Sequence, residues 1–307
     1  MRISTNMVNA DFLNNLATTT NKVQNTMNQL ASLKEVNKAS DNPLLVSKIL
    51  ALNVSISQNT SYATTISDAR EWTNTQDGAL QIVEKSMNNI RNIVVAVNNS
   101  GALTDAEFKA YKSELQQEIG TVVDAMNTNY DGRYIFGGTR TTEPPFSTTA
   151  NANGEVNGLK YNGDENDLPR EISNGVSIDL LTNGNSIMTA QGTQSKDLSS
   201  FFSELVADLD NHDDAAIKDM SAKLGDIDQF KNNIVNYNTR VGAIENRLDA
   251  AKDRNDSEKI TLKNTLSTRQ DVDIAQKYMD YQNQMLAYKS TLAMGSKIMQ
   301  TTVLDYM

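Results

Sequence analysis

The sequence predicts a mainly α-helical chain with a β-rich insertion: a long antiparallel helical bundle rod, terminal coiled-coil helices and a small β domain. Three observations predict it. At both ends of the 307-residue chain, apolar residues recur in alternating steps of three and four, the spacing of a coiled-coil seam. The same rhythm holds from Leu45 to Val97, a helical rod of roughly 80 Å at ~1.5 Å per residue. At Asp131-Gly132 the composition changes sharply. Three of the 4 Pro, and more than half of the 15 Gly, fall between Arg133 and Gly192 among short runs of β type,. The expected division is a discontinuous terminal coiled-coil domain (1–43 with 270–307), a helical bundle domain (44–133 with 195–269) and a β-rich outer domain (134–194).

The two ends organise the rest. Asp271 to Met307 carries a seam at Ile274, Tyr278, Tyr281, Met285, Tyr288, Leu292, Gly295/Ser296 and Met299. Nothing adjacent in sequence can cover it. A similar seam at Leu13, Leu16, Thr20, Val23, Met27 and Leu30 lies in Met1 to Leu33, so the two ends are expected to pair. The first end, with its run TTTNKVQNTMNQ, is rich in poor helix formers,. Its helix is expected to order only beside a partner. The residues expected to make subunit and partner contacts are Leu13, Leu16, Val23, Met27 and Leu30, with Tyr281, Met285, Leu292, Met299 and Leu304.

Between the ends, Pro43 suits the first position of a helix capped by Asp41 or Asn42. The rhythm from Leu45 weakens near Trp72 and Gly78, where a kink or short break is expected. Asn98-Asn99-Ser100-Gly101 ends this helix. Thr104 and Glu107 form a capping box for the next, with its stripe at Phe108, Tyr111, Leu115, Ile119, Val122 and Met126. The short loop predicts an antiparallel hairpin. Within the insertion, Val156–Tyr161 and Ile178–Leu181 read as strands, and Asn174-Gly175 as a type I′ hairpin turn. A short helix follows around Leu198–Leu209. A long one then runs from Ile217 towards Leu266, highly charged between Ala250 and Lys259. STRQDVD breaks it before the last helix.

Composition narrows the function. Hydrophobic residues make up 38% and aromatics 6%, lean for a large compact core but suited to bundles in which each helix buries one stripe. The net charge of −10 and pI near 4.7 argue against nucleic acid or an anionic membrane as partner. With no Cys there is no disulfide framework, thiolate metal site or thiol nucleophile. The N-terminus lacks an apolar stretch of signal-peptide length, and no run is long enough to span a membrane. Export, if it occurs, is expected to bypass a cleavable signal peptide.

Candidate chemistry is sparse. Asp271 and Asp273 read as an N-cap and its favourable charge rather than an acid–base pair, since nothing nearby builds a buried shared site. His212, the single His, sits among Asn and Asp and reads as a surface turn; a triad or histidine metal site has no second His to draw on,. Gly132 and Gly137-Gly138 lack the Lys-Ser/Thr and following helix of a phosphate loop and read as a turn. Asn162–Asp167 lacks the spacing and terminal Glu of a calcium loop and reads as a polar turn. Sequons such as Asn53-Val54-Ser55 are expected by chance in so Asn-rich a chain. No catalytic, cofactor or metal residue is assigned, and the chain reads as an assembly subunit rather than an enzyme.

Five motifs in order, RISTNM, NKASDNP, GRYIFGGT (132–139), STRQDVDIA and KIMQTTVLDYM, give the chain a resemblance to the flagellin superfamily. Within it the chain looks most like the hook-associated adaptors of the hook–filament junction, over roughly 1–140 and 195–307. GRYIFGGT followed by Pro-Pro-Phe and the Leu-Asp-Tyr ending separates it from filament flagellins. Glu35-Val36 stands where relatives usually carry a Gly-basic turn. The resemblance implies an extracellular flagellar component, exported unfolded by the type III apparatus with the help of an export chaperone. It implies a ring of identical copies between a hook-side junction protein and flagellin. The alternatives are a filament-forming flagellin, an adhesin using the insertion, and an extracellular enzyme with helical flanks.

Overall fold

The computed structural model describes residues 5–99, 103–151, 154–189, 197–211 and 219–300. In chain order the elements are α1 (Thr5–Ser32), α2 (Pro43–Asn99), α3 (Asp105–Met126), β1 (Asn129–Tyr130), β2 (Arg133–Tyr134), β3 (Phe146–Ala150), β4 (Val156–Tyr161), β5 (Leu168–Ser173), β6 (Val176–Leu180), α4 (Asn185–Met188), α5 (Leu198–Asn211), α6 (Leu224–Gln270) and α7 (Ile274–Gln300). The strands form three antiparallel hairpins, β1–β2, β3–β4 and β5–β6. The fold is mainly α with a small β region, in the order the periodicities predict.

Local chemistry sets the boundaries. Asn42 caps α2: its side-chain oxygen accepts the Leu45 amide at 3.1 Å, with Pro43 in the first turn. Thr104 and Glu107 form the capping box of α3, each side chain accepting the other's backbone amide. No break occurs in α2, which is helical through both Trp72 and Gly78. Trp72 weakens the periodicity because its ring is buried edge-on against Tyr130, with centroids 6.2 Å apart.

The chain divides into two units, Met1–Asn59 with Ser257–Met307 and Thr60–Asp256, the boundaries falling inside α2 and α6. In the central unit one apolar core joins Leu80, Met87 and Ile90 of α2, Leu115 and Met126 of α3, Phe201 and Phe202 of α5, and Phe230 and Val241 of α6. Phe136, Phe146, Leu159, Ile178 and Leu180 of the insertion belong to that same core. Two ion pairs, Arg70–Asp249 at 2.5 Å and Arg91–Asp228 at 2.9 Å, fix α2 antiparallel to α6. They lie three heptads apart on each helix, as in a coiled-coil seam. Their partners are substantially exposed, so each stabilises little and mainly marks register.

The GRYIFGGT run is a structural knot. Ile135 and Phe136 are fully buried. The Gln76 side-chain amide donates to the carbonyls of Leu181 (2.6 Å) and Ile135 (3.3 Å), and the Tyr237 hydroxyl to Leu181 (2.6 Å). These bonds fasten the insertion to α2 and α6. The Gly138 amide donates to the Thr182 carbonyl at 2.8 Å, so the glycines serve the fold rather than a phosphate. A Cβ on Gly137 would overlap the Arg140 carbonyl, and one on Gly138 (φ +69°) would overlap Asp164.

One turn assignment is corrected. Of Asn174 and Gly175 only Gly175 takes positive φ (+71°), and the β5–β6 register shifts between Glu171 and Ser173. A turn with positive φ at its second residue alone lacks the twist of type I′, and the irregular ladder absorbs the mismatch. The type I′ geometry is found instead at Asp131 (φ 51°) and Gly132 (φ 74°), which join β1 to β2 in a two-residue loop.

Candidate assembly surface

The terminal unit pairs α1 with α7. Helix α1 tolerates its threonines because the hydroxyls of Thr18, Thr19 and Thr20 donate to the carbonyls four residues back, at 2.8–2.9 Å,. The two helices run antiparallel. Phe12 stacks over Gly295, where a Cβ would overlap the ring. The Thr26 hydroxyl donates to the Gln284 side-chain oxygen at 2.8 Å, and Lys277 pairs with Glu35 at 2.9 Å. The linkers also bind each other, the Glu35 amide to the Gln270 carbonyl at 2.8 Å and the Val272 amide to the Leu33 carbonyl at 3.2 Å. Glu35, the departure from the family turn, thus holds two contacts across the pair.

The seam between these helices differs from the predicted one. On α1 the more buried residues are Phe12, Leu16, Thr19, Val23, Thr26 and Leu30; on α7 they include Lys277, Tyr281, Gln284, Tyr288, Thr291 and Gly295. Of the predicted contact residues, Leu16, Val23, Leu30, Tyr281 and Met285 are half-buried. Leu13 (61%), Met27 (47%) and Leu292 (42%) are exposed. The side chain of Met299 and all of Leu304 lie outside the described residues. The predicted stripe took the more apolar edge of each helix. Leu16, Val23 and Leu30 on α1 and Tyr281, Met285, Tyr288 and Gly295 on α7 belong to both seams; at the other positions the more buried residue lies one place earlier, where a ring-over-glycine contact and a Thr–Gln bond occupy the seam. The phenylalanine four residues before Leu16 and the lone glycine of α7 were the available signals.

Exposure separates the two units. Among the described residues, every exposed large apolar side chain except Ile82, Val176 and Val235 belongs to the terminal unit. They include Leu44, Leu50 and Val54 on α2, Ile260 on α6, and Tyr278, Leu286 and Met294 on α7. Ile49 is the unit's one buried large apolar side chain among the described residues. This concentration of exposed apolar side chains makes the terminal unit the candidate assembly surface,.

The polar candidates have local roles. Asp273 caps α7, its carboxylate accepting the Ala275 and Gln276 amides at 3.0 and 3.1 Å. Asp271 accepts the Ser267 hydroxyl at 2.6 Å. Asp164 anchors the polar turn. Burial raises its pKa, but bonds from the Thr139 hydroxyl, the Thr139 amide and the Asn166 amide, with the charge of Arg140, outweigh burial and hold it below the usual range. His212 lies outside the described residues. Among the described residues no group of three or more His, Asp or Glu is placed to hold a metal, and no helix is long and apolar enough to cross a membrane.

Residues 3–141 match the bacterial flagellin N-terminal helical region. That match covers less than half of the chain and makes its N-terminal part similar to flagellins. Flagellar hook-associated protein 3 of Salmonella typhimurium is 24% identical over 173 residues, 56% of this chain and 52% of that protein. Its Escherichia coli counterpart is 26% identical over 218 residues, 69% of this chain and 65% of that protein. The match therefore spans about half of the first and less than two thirds of the second. A Bacillus subtilis flagellin is 22% identical over 300 residues, 96% of this chain and 95% of that protein. Among solved structures, FlgL of Xanthomonas campestris aligns with a TM-score of 0.59 at 18% identity, over 70% of this chain and 98% of its own. The flagellar junction protein FlgL of Legionella pneumophila aligns with a TM-score of 0.57 at 14% identity, over 73% of this chain and 100% of its own. At these identities the structural likeness shows the fold alone.

Proposed function

We propose that this chain is a structural, non-enzymatic adaptor of the bacterial flagellum, joining the hook to the filament as a ring of identical copies. The observation that carries the reading is the concentration of exposed apolar side chains in the terminal unit, beside a central unit whose core is complete. The similarity to hook-associated proteins 3 supports a place at the hook end of the filament. In this reading Leu13, Met27 and Leu292, with Leu16, Val23, Leu30, Tyr281, Met285, Met299 and Leu304, meet neighbouring subunits. The neighbours are further copies, a hook-side junction protein and flagellin. Residues 1–43 with 270–307 are the assembling domain, 44–133 with 195–269 the bundle, and 134–194 the outward part. The chain leaves the cell by the flagellar type III route, helped by an export chaperone and without a cleavable signal peptide. Its ends order as they bury their stripes at the growing tip, so folding and assembly are coupled.

The test is a deletion strain complemented with this chain. Complete hooks that shed flagellin into the medium, with filaments restored by the chain, support the reading. Normal filaments without the chain overturn it. A second reading, a filament-forming flagellin, draws on the nearly full-length match to the Bacillus subtilis flagellin. Overproduction separates the two: a flagellin lengthens filaments on the hook, whereas an adaptor stops after a limited ring.

A further inference from the structure

The terminal helices carry two competing seams. One joins Leu13, Leu16, Thr20, Val23, Met27 and Leu30; the other, which the structure buries, replaces Leu13, Thr20 and Met27 by Phe12, Thr19 and Thr26. On α7 the same offset exchanges Leu292 and Tyr278 for Thr291 and Lys277, while Gln284 joins Met285 in the seam. The two seams share Leu16, Val23 and Leu30 on α1, so turning each helix by about half a residue, ~50°, with a small slide, converts one pairing into the other. Apolar burial by itself favours the first, because it would cover Leu13, Met27, Tyr278 and Leu292 and give up only Phe12 among apolar side chains. The structure adopts the second and leaves Leu13, Met27 and Leu292 exposed.

Two contacts account for this choice. Thr26 is 6% exposed and its hydroxyl donates to Gln284 at 2.8 Å. Turning the helices would leave both polar groups without each other. A single polar pair in an apolar seam is a known means of fixing coiled-coil register at a cost in stability. At the other end, the Phe12 ring occupies the space that a side chain at position 295 would fill, so its place is available only because Gly295 has no Cβ. The two contacts lie fourteen residues apart on α1, two heptads, and act on the same rotation.

We infer that Thr26–Gln284 and Phe12–Gly295 are positioning contacts that hold the terminal pair in its less apolar register and leave Leu13, Met27 and Leu292 exposed. The register is measurable without assembly.

The experiment uses the full chain, purified, with its ends ordered by an excluded osmolyte. The absence of native Cys allows two reporter pairs: Thr19→Cys with Tyr288→Cys for the observed register, and Leu13→Cys with Leu292→Cys for its rival. The first is expected to form an intrachain disulfide and the second not. Adding Thr26→Leu with Gln284→Leu should raise the second pair's yield relative to the first by about tenfold, the ratio given by a register preference of about 1.4 kcal/mol. Gly295→Ala alone should move the ratio the same way. Equal yields in the unaltered chain, no disulfide at either pair, or a ratio unmoved by both sets of changes overturns the inference. If the register holds but the chain fails to restore filaments, the assembly reading fails and the register assignment stands.

Discussion

At the scale of single residues, space and charge decide outcomes with opposite signs. Gly137→Ala drives a Cβ into the Arg140 carbonyl, which is backbone and cannot swing away. It should cost about 1–3 kcal/mol, read as a lowered denaturant midpoint of the central unit. Gly120→Ala in α3 meets nothing within 4 Å and should raise the midpoint by about 0.5–1 kcal/mol, because alanine restricts the unfolded chain and favours the helix. An equal loss at both positions would show that glycine content rather than local space governs this fold. Leu292, 42% exposed, should accept Asp with a stability change within about 0.5 kcal/mol, while incorporation into the flagellum is lost. Leu16→Asp strikes the half-buried seam and should lose both end pairing and incorporation. Normal assembly of both variants would remove these residues from the interface.

At the scale of elements, caps and buried phenols hold the central unit. Thr104→Ala removes the hydroxyl half of the capping box of α3, leaving the backbone amide on Glu107, and should cost about 1 kcal/mol, measured by chemical denaturation. Alkaline pH tests the contact between insertion and bundle. Burial pushes the Tyr161 phenol up to about 12 and raises that of Tyr237 as well. Both native pKa values lie above the ordinary phenol value of 10.0. Their contribution is therefore fully present below pH ~10 and is lost as pH rises through the native values. Absorbance of phenolate should show these two tyrosines ionising only as the central unit unfolds. Their ionisation before unfolding would contradict the packing of β4 and α6.

For the molecule as a whole, the unequal distribution of apolar exposure makes the two units separable in their energetics. Removing residues 1–33 and 271–307 should leave the central unit's cooperative melt within a few degrees of the intact chain, because none of its core residues lies in those segments. The far-ultraviolet helical signal lost on truncation should be small in dilute monomer and large in assembled chains, if the ends order on burial. Fully helical ends in dilute monomer would sink coupled folding and assembly.

Much of this protein was written in local sequence. Asn42-Pro43, the Thr104–Glu107 box and the break at residues 271–273 are settled by near neighbours through caps and backbone restrictions, so they were legible as boundaries. The long α2 and α6 were legible because a three-four rhythm admits few other structures. Tertiary structure alone decided which edge of each terminal helix faces inward, because α1 and α7 each carry two apolar edges one position apart, and the choice depends on a ring meeting a glycine and a threonine meeting a glutamine nearly the whole chain away. It also decided that the insertion shares the bundle's core, through Phe136, Phe146 and Leu180, and that Asp131-Gly132 rather than Asn174-Gly175 takes the type I′ turn. Two loops of similar composition differ there only in the strands they must join. Sequence by itself determined the element order, the apolar stripes and the poverty of catalytic groups; which stripes are covered within the chain and which are left for a neighbour is a property of contacts between residues far apart, and only the folded chain decides it.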